Sequence, residues 1–115
     1  MNDIESNIVR CPDETRAKEM ISAIEKIKEE GDSLGGIIEG LVRGIPAGLG
    51  EPVFSKISAD LGHAMLGINA VKGFEIGSGF EGTKLKGSVH NDPFYLDNNE
   101  IKVRNNNAGG TIGGI

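Results

Sequence analysis

The most informative stretch of the chain spans residues 44–54 and reads Gly44-Ile45-Pro46-Ala47-Gly48-Leu49-Gly50-Glu51-Pro52-Val53-Phe54. Proline cannot donate a hydrogen bond to a β-ladder, so Pro46 is expected to end any strand that runs into this stretch. The closely spaced glycines that follow favour a loop over residues 46–50. Pro52 suits the first turn of a helix, where its missing N–H group would have no partner in any case. The stretch therefore predicts a strand before it and a helix after it.

The residues on either side of this stretch carry the two expected periodicities. Before it, residues 34–45 alternate along the chain, and one strand face collects the apolar residues Ile37, Leu41 and Ile45. After it, apolar residues recur three and four positions apart and predict an amphipathic helix with the stripe Phe54, Ile57, Leu61, Ala64, Met65 and Ile68. His63 falls on the polar face of that helix, so we expect it to be an exposed surface residue.

Another helix is predicted over residues 12–30. Asp13 is placed to cap its first turn, and Gly31 supplies a natural C-terminal stop. Apolar residues recur at helical spacing along one stripe, namely Ala17, Met20, Ile21, Ile24 and Ile27. The charged residues between them are expected to form a solvated face.

Two further strands are predicted over residues 71–76 and 83–89, because their residues alternate. Between them, Gly77 to Gly82 matches the pattern G-x-G-x-x-G letter for letter. A dinucleotide site would need a helix to begin at these glycines. The alternating residues that follow predict a strand instead, so a hairpin turn explains the glycines better.

The rest of the chain, from Asn91 onward, is rich in Asn and Gly and has no convincing period, so it is expected to be an irregular tail. The complete order of predicted elements is helix, strand, helix, strand, strand and tail. Runs of both types without strict alternation predict an α+β fold in which helices pack on an antiparallel sheet.

Charge and cysteine content exclude several classes of protein. The 115 residues, about one domain in length, carry 12 Lys and Arg against 17 Asp and Glu, a net charge of −5. This balance argues against nonspecific binding to nucleic acid or to an anionic membrane. No apolar run approaches the ~20 residues that a membrane helix needs. Cys11 is the single cysteine, so an intramolecular disulfide is excluded and a reducing cytoplasm is expected.

Motifs for catalysis or metal binding are weak. The candidate metal ligands Cys11, His63 and His90 lack the spacing of known metal sites, so no metal is expected. The serines lack the G-x-S-x-G context of a nucleophile elbow. The densest polar triplet is His90-Asn91-Asp92, followed by Pro93, and its residue types favour a turn over a chemical site.

Residues 105–115 contain four glycines in six positions, from Gly109 to Gly114. Their backbone N–H groups could cradle an anion or lie under a flat ring. The same composition is also typical of a flexible chain terminus.

Taken together, these motifs resemble the chorismate synthase family, for which residues 44–54 look like a signature stretch. The resemblance covers nearly the whole chain from Arg10 onward, in order, and departs at positions such as Ser55 and Ser58, where the family usually shows Asp. The further matching segments are Ala59-Asp60-Leu61, Ile68-Asn69-Ala70-Val71-Lys72-Gly73, Glu75-Ile76-Gly77, Gly87-Ser88, Asn91-Asp92, Asn106-Asn107-Ala108-Gly109-Gly110 and Gly113-Gly114-Ile115.

The resemblance implies a fold and a reaction. The family is a cytoplasmic homotetramer with a β-α-β sandwich built of two related halves. It converts 5-enolpyruvylshikimate 3-phosphate to chorismate and phosphate by a 1,4-anti elimination that needs reduced FMN. This chain resembles an internal or C-terminal-half fragment. Residues 1–115 are then one partial domain, and residues 105–115 a cofactor loop cut before its end.

The resemblance also implies specific site residues. Asn69, Ala70 and Gly113 correspond to FMN contacts, whereas neither His63 nor His90 corresponds to a catalytic histidine of the family. The catalytic histidines and the phosphate-binding cations fall outside the matched segments, so the isolated chain is expected to be inactive. Expected partners are a small-molecule substrate and further copies of the chain. A noncatalytic flavin-binding or oligomerisation module derived from the same fold is the alternative.

Overall fold

A computed structural model of the protein describes residues 3–115. The described helices are α1 (Glu14–Glu29), α2 (Ile57–Leu66), α3 (Gly87–His90) and the 3₁₀ helices Ile4–Ser6 and Gly79–Lys84. The described strands are β1 (Phe94–Asp97) and β2 (Glu100–Val103), which pair as an antiparallel sheet. The predicted α+β class is confirmed. The chain divides into two compact units, one ending at Arg43 and the other running from Gly44 to Ile115.

Helix α1 confirms the prediction made for residues 12–30. The side chain of Asp13 accepts a hydrogen bond from the N–H group of Arg16 at 2.9 Å, as an N-cap should. Ala17, the first residue of the apolar stripe, is buried, whereas Met20 and Ile24 remain largely exposed. Local signals fix this helix, but its apolar face is only partly covered.

The strand predicted over residues 34–45 is wrong. This segment has no regular secondary structure, and the side chains of Ile37 and Ile38 are 96% and 97% exposed. A strand is defined by its hydrogen bonds to a neighbour. Within residues 3–115 no neighbouring strand pairs with this segment, so its alternating pattern stays without a ladder.

Helix α2 begins at Ile57 and not at Pro52, which corrects the predicted start. Residues 51–55 close a turn in which the N–H group of Glu51 donates to the carbonyl of Ser55 at 2.8 Å. Pro52 lies inside this turn, and Phe54 stands 90% exposed outside the helix. His63 is exposed on α2, as the sequence predicted.

The strands predicted over residues 71–76 and 83–89 are also wrong, as is the hairpin turn between them. Residues 71–76 lack regular structure, and the 3₁₀ helix Gly79–Lys84 and helix α3 replace the second strand. Local hydrogen bonds account for the change, since the N–H group of Gly82 donates to the carbonyl of Ser78 and that of Leu85 donates to Gly82.

The predicted irregular tail instead contains the β1–β2 hairpin. Its register pairs Phe94 with Val103 and Asp97 with Glu100. The two loop residues, Asn98 and Asn99, both have positive φ, at 49° and 66°. This is the type I′ geometry, which Asn tolerates better than most residues. An Asn pair between two apolar runs was the signal that could have predicted this hairpin.

Much apolar surface remains uncovered in this fold. Large apolar side chains are exposed in each of the two units, among them Ile8 and Ile37 in the first and Phe54 and Phe80 in the second. Among the described residues, Ala17 and Asp92 are the buried ones. Apolar surface of this extent is typical of chains that associate with further polypeptide.

We expect the 115-residue chain to self-associate, because residues 34–45 expose apolar side chains in a segment without regular secondary structure. Light scattering after size-exclusion chromatography should give a mass above 12.1 kDa that grows with concentration. Replacing Ile38 with Lys should lower that mass, and the control Ile8→Lys, at a position 88% exposed, should lower it less. A monodisperse monomer at every concentration would contradict the expectation.

Candidate functional site

The candidate site forms where the carboxylate of Asp92 binds the C-terminal segment, residues 105–115. Its Oδ1 accepts a hydrogen bond from the N–H group of Asn107 at 2.9 Å, and its Oδ2 accepts one from Ala108 at 2.8 Å. Asp92 is only 8% exposed, so water competes poorly for these bonds. Hydrogen bonds to an ionised carboxylate are stronger than neutral ones. Asp92 therefore holds two successive backbone amides in one orientation.

Other hydrogen bonds draw the same segment toward neighbouring loops. The N–H group of Ser78 donates to the carbonyl of Asn107 at 2.7 Å. The side-chain amide of Asn105 donates to the carbonyl of Asn91 at 3.3 Å. Asn105 and Asn107 therefore hold this segment against residues 91 and 78.

Two glycines allow the backbones to meet at this point. Gly77 and Gly109 both have positive φ, at 60° and 62°. A Cβ atom added to Gly77 would collide with the backbone of residues 107–109, and one added to Gly109 would collide with Gly77. Backbone atoms cannot move aside as a flexible side chain can, so both positions require glycine. The first of the G-x-G-x-x-G glycines thus serves close packing.

His90 and Ser78 form a second polar contact beside Asp92. The Ser78 Oγ and His90 Nε2 atoms lie 2.7 Å apart and share a hydrogen bond. A Ser-His-Asp relay would need the carboxylate to orient the imidazole. Both oxygens of Asp92 instead bind backbone amides. The pair therefore joins residue 78 to the last residue of α3. The turn predicted at His90-Asn91-Asp92 is wrong, because His90 ends α3 and residues 91–93 form no turn. Asp92 serves instead as a structural anchor.

An open cavity of about 370 Å³ lies beside this anchor. Its wall is formed by residues 90–94 together with Ala108 and residues 111–113. Gly113, which the family resemblance implies as a flavin contact, is part of that wall. It has a φ of 84° and open space where a Cβ would stand.

The other two predicted flavin contacts lie elsewhere, in the turn that follows α2. The N–H group of Val71 donates to the carbonyl of Ile68 at 3.2 Å, and Ala70 has a φ of 69°. Such a turn normally carries Gly or Asn at this position, so Ala70 holds a strained backbone. Both Asn69 and Ala70 are exposed. The structure therefore brings Gly113 to the cavity and places Asn69 and Ala70 apart from it.

Other classes of site find little support in the described residues. Across residues 3–115, no group of three or more His, Cys, Asp or Glu side chains is arranged to hold a metal ion. Over the same residues, no helix has both the length and the apolar character needed to cross a membrane. Cys11 is a half-buried free thiol whose backbone N–H and carbonyl both bind the side chain of Asn7.

The anchor predicts a pH dependence. The Ala108 amide, and then the Asn107 amide, lower the pKa of Asp92 below the ordinary aspartate value, with a further small contribution from His90. An unfolded aspartate has a pKa of about 3.9. Because folding lowers the pKa of Asp92, its carboxylate stabilises the fold at a pH above the unfolded pKa. This stabilisation is lost as the pH falls through the folded pKa. A carbon-13 NMR titration of the Asp92 carboxyl should give a midpoint below that of the urea-unfolded chain. A midpoint equal or higher would contradict the geometry.

Comparisons of the sequence with a family profile and with curated proteins, and of the structure with solved structures, all identify the same family. A sequence profile of chorismate synthase matches residues 1–115. A chorismate synthase from Synechococcus elongatus is 57% identical over 116 residues, which cover all of this chain and 32% of that relative. One from Methylacidiphilum infernorum is 54% identical over 113 residues, covering 98% of the chain and 31% of the relative. The chain spans about a third of the length of the curated relatives it matches.

The structural comparison agrees. A crystal structure of chorismate synthase matches 98% of this chain with a TM-score of 0.83 at 32% sequence identity, and the match covers 34% of that structure. The α+β arrangement described above is therefore part of that enzyme's fold. Since the profile match extends over the whole chain, the protein belongs to the chorismate synthase family.

Proposed function

We propose that this chain is a part of a chorismate synthase, which converts 5-enolpyruvylshikimate 3-phosphate to chorismate and phosphate in the shikimate pathway. The observation that carries the proposal is the match of the family profile over residues 1–115. The cavity beside the Asp92 anchor supports it, because Gly113, which the resemblance implies as a cofactor contact, lies in its wall. Reduced FMN is the proposed cofactor, and residues 105–115 are its proposed loop.

The residues around the cavity fit a flat, partly apolar ring. Gly113 leaves open space at its α-carbon, so the backbone can approach a planar group closely. Phe94 and Ile112 supply apolar surface, and Thr111 supplies a hydroxyl that donates to the carbonyl of Ala108 at 2.7 Å. His90, Asn91 and Asp92 also line the cavity, so polar groups stand beside apolar ones, as they do in cofactor pockets.

Asn69 and Ala70 would serve a different part of the same cofactor. They lie beyond the C-terminal end of α2, whereas the N–H group of Ile57, at its N-terminal end, donates to the carbonyl of Ile115 at 2.9 Å. Ten helical residues separate the two ends by about 15 Å. An elongated ligand such as a flavin mononucleotide can contact groups spaced in this way. The side-chain amide of Asn69 offers both a donor and an acceptor for it.

The cofactor and the residues of this chain would have separate roles in the reaction. Reduced FMN, when bound, supplies electron density to the substrate as phosphate departs and takes up the departing hydrogen. The residues of this chain bind and orient, while the acid–base histidines and the cations for phosphate belong to family segments outside those matched here. We therefore propose that the isolated chain is inactive, and that the complete enzyme assembles as a homotetramer in the cytoplasm.

We expect Asn69→Ala to weaken FMN binding by about 1–3 kcal/mol, because a polar group of the bound cofactor would lose its partner. The test uses a chimeric enzyme in which this chain replaces the matching third of the Synechococcus elongatus chorismate synthase. Fluorescence titration gives the FMN dissociation constant under anaerobic, reducing conditions. The control is His63→Ala, because His63 lies exposed on α2, outside the turn that carries Asn69, and its substitution should leave the constant unchanged.

Two outcomes would overturn the proposal. A larger effect from His63→Ala than from Asn69→Ala would show that the turn after α2 does not contact the cofactor. A chimera that binds FMN yet forms no chorismate, beside an active unmodified cyanobacterial enzyme, would favour the noncatalytic module. The assay follows chorismate absorbance with reduced FMN and substrate.

A further inference from the structure

We infer that Asp92 is a positioning residue for the flavin: it fixes the start of the C-terminal loop and thereby sets how Gly113 meets the cofactor. The inference rests on the proposed function, because it assumes that residues 105–115 contact FMN. It adds a residue that the resemblance does not assign to the cofactor site. Asp92 would act through the backbone of Asn107 and Ala108.

The loop is held at both of its ends. At its start, Asp92 binds the amides of Asn107 and Ala108. At its end, the carbonyl of Ile115 accepts from Ile57, the first residue of α2. Gly113 lies between the two anchors, so the anchors determine where it is presented.

Between these anchors, the loop is ordered by short-range hydrogen bonds and by the packing of Gly109 against Gly77. Its four glycines, Gly109, Gly110, Gly113 and Gly114, all have positive φ, which only glycine adopts readily. Glycine also loses more conformational entropy on ordering than any other residue. Within residues 109–114, the N–H group of Gly109 donates to the carbonyl of Asn106 at 3.1 Å. The N–H and hydroxyl groups of Thr111 donate to the carbonyl of Ala108 at 3.2 and 2.7 Å, so these bonds all span three residues. The order of the loop therefore depends strongly on the anchor at its start.

The chemistry of the anchor requires a carboxylate. Two adjacent N–H groups donate toward one side chain, and an ionised aspartate offers an acceptor oxygen to each. An asparagine of the same shape offers one oxygen and turns an NH₂ group toward the other N–H. Because the site is buried, the unpaired donors would not be compensated by water. Asp92→Asn is therefore a nearly isosteric change that releases the loop.

The test compares Asp92→Asn with Asp97→Asn in the chimeric enzyme defined above. Asp97 lies in the adjoining hairpin, and its carboxylate binds Lys102 at 2.6 Å, so its substitution removes the same charge without touching the loop. We expect Asp92→Asn to raise the FMN dissociation constant about tenfold, in line with the loss of a buried hydrogen-bond partner. We expect Asp97→Asn to leave the constant unchanged.

A second readout separates positioning from simple destabilisation. At saturating FMN, the kcat of Asp92→Asn should return to within about twofold of the parent value, since added ligand restores the bound state. A variant that is merely misfolded would have a lowered kcat at every FMN concentration. If Asp92→Asn does not fold, Asp92→Glu keeps both acceptors one methylene further out and should raise the dissociation constant to a smaller extent.

The outcomes distinguish this inference from the function on which it rests. An unchanged dissociation constant in Asp92→Asn, beside a raised constant in Gly113→Ala, would overturn the positioning role and leave the flavin loop in place. Unchanged constants in both variants would overturn the loop assignment itself. An equal rise in Asp97→Asn would show a general effect of charge and would also overturn the inference.

Discussion

The pair of hydrogen bonds from the Asp92 carboxylate to the amides of Asn107 and Ala108 is the constraint on which the second unit depends. Through these bonds the segment after the β1–β2 hairpin returns to the residues before it. The same return brings Gly109 against Gly77, where backbone meets backbone. The cavity exists because these segments are held side by side. A single buried charge thus supports both the packing and the candidate site.

The accuracy of prediction from sequence depended on how local each interaction is. Helix α1 was predicted well because its cap, its stripe and its stop lie within the helix or next to it. The segment 34–45 has the alternation of a strand, yet pairing requires a partner that local sequence does not supply. The β1–β2 hairpin was missed although Asn98-Asn99 is a strong turn signal, because the surrounding Asn and Gly residues obscured the alternation.

The candidate site also contains both residues that could be predicted from the sequence and residues that could not. The family resemblance implies that Gly113 contacts the flavin, and in the structure Gly113 lines the cavity. Asp92 belongs to a polar triplet whose residue types predict a turn, whereas its hydrogen-bond partners lie 15 and 16 residues further along the chain. No pattern of spacing predicts such a contact. The exposure of apolar side chains such as Ile37 and Ile38 is likewise not predicted by any local pattern.

Amide hydrogen exchange at Asn107 and Ala108 tests the central claim most directly, because these two N–H groups make the bonds in question. In the chimeric enzyme at neutral pH, we expect both amides to be protected and to lose that protection in Asp92→Asn, while the amides of the β1–β2 ladder keep theirs. Protection that is the same in the parent enzyme and in Asp92→Asn would show that the carboxylate does not hold the loop.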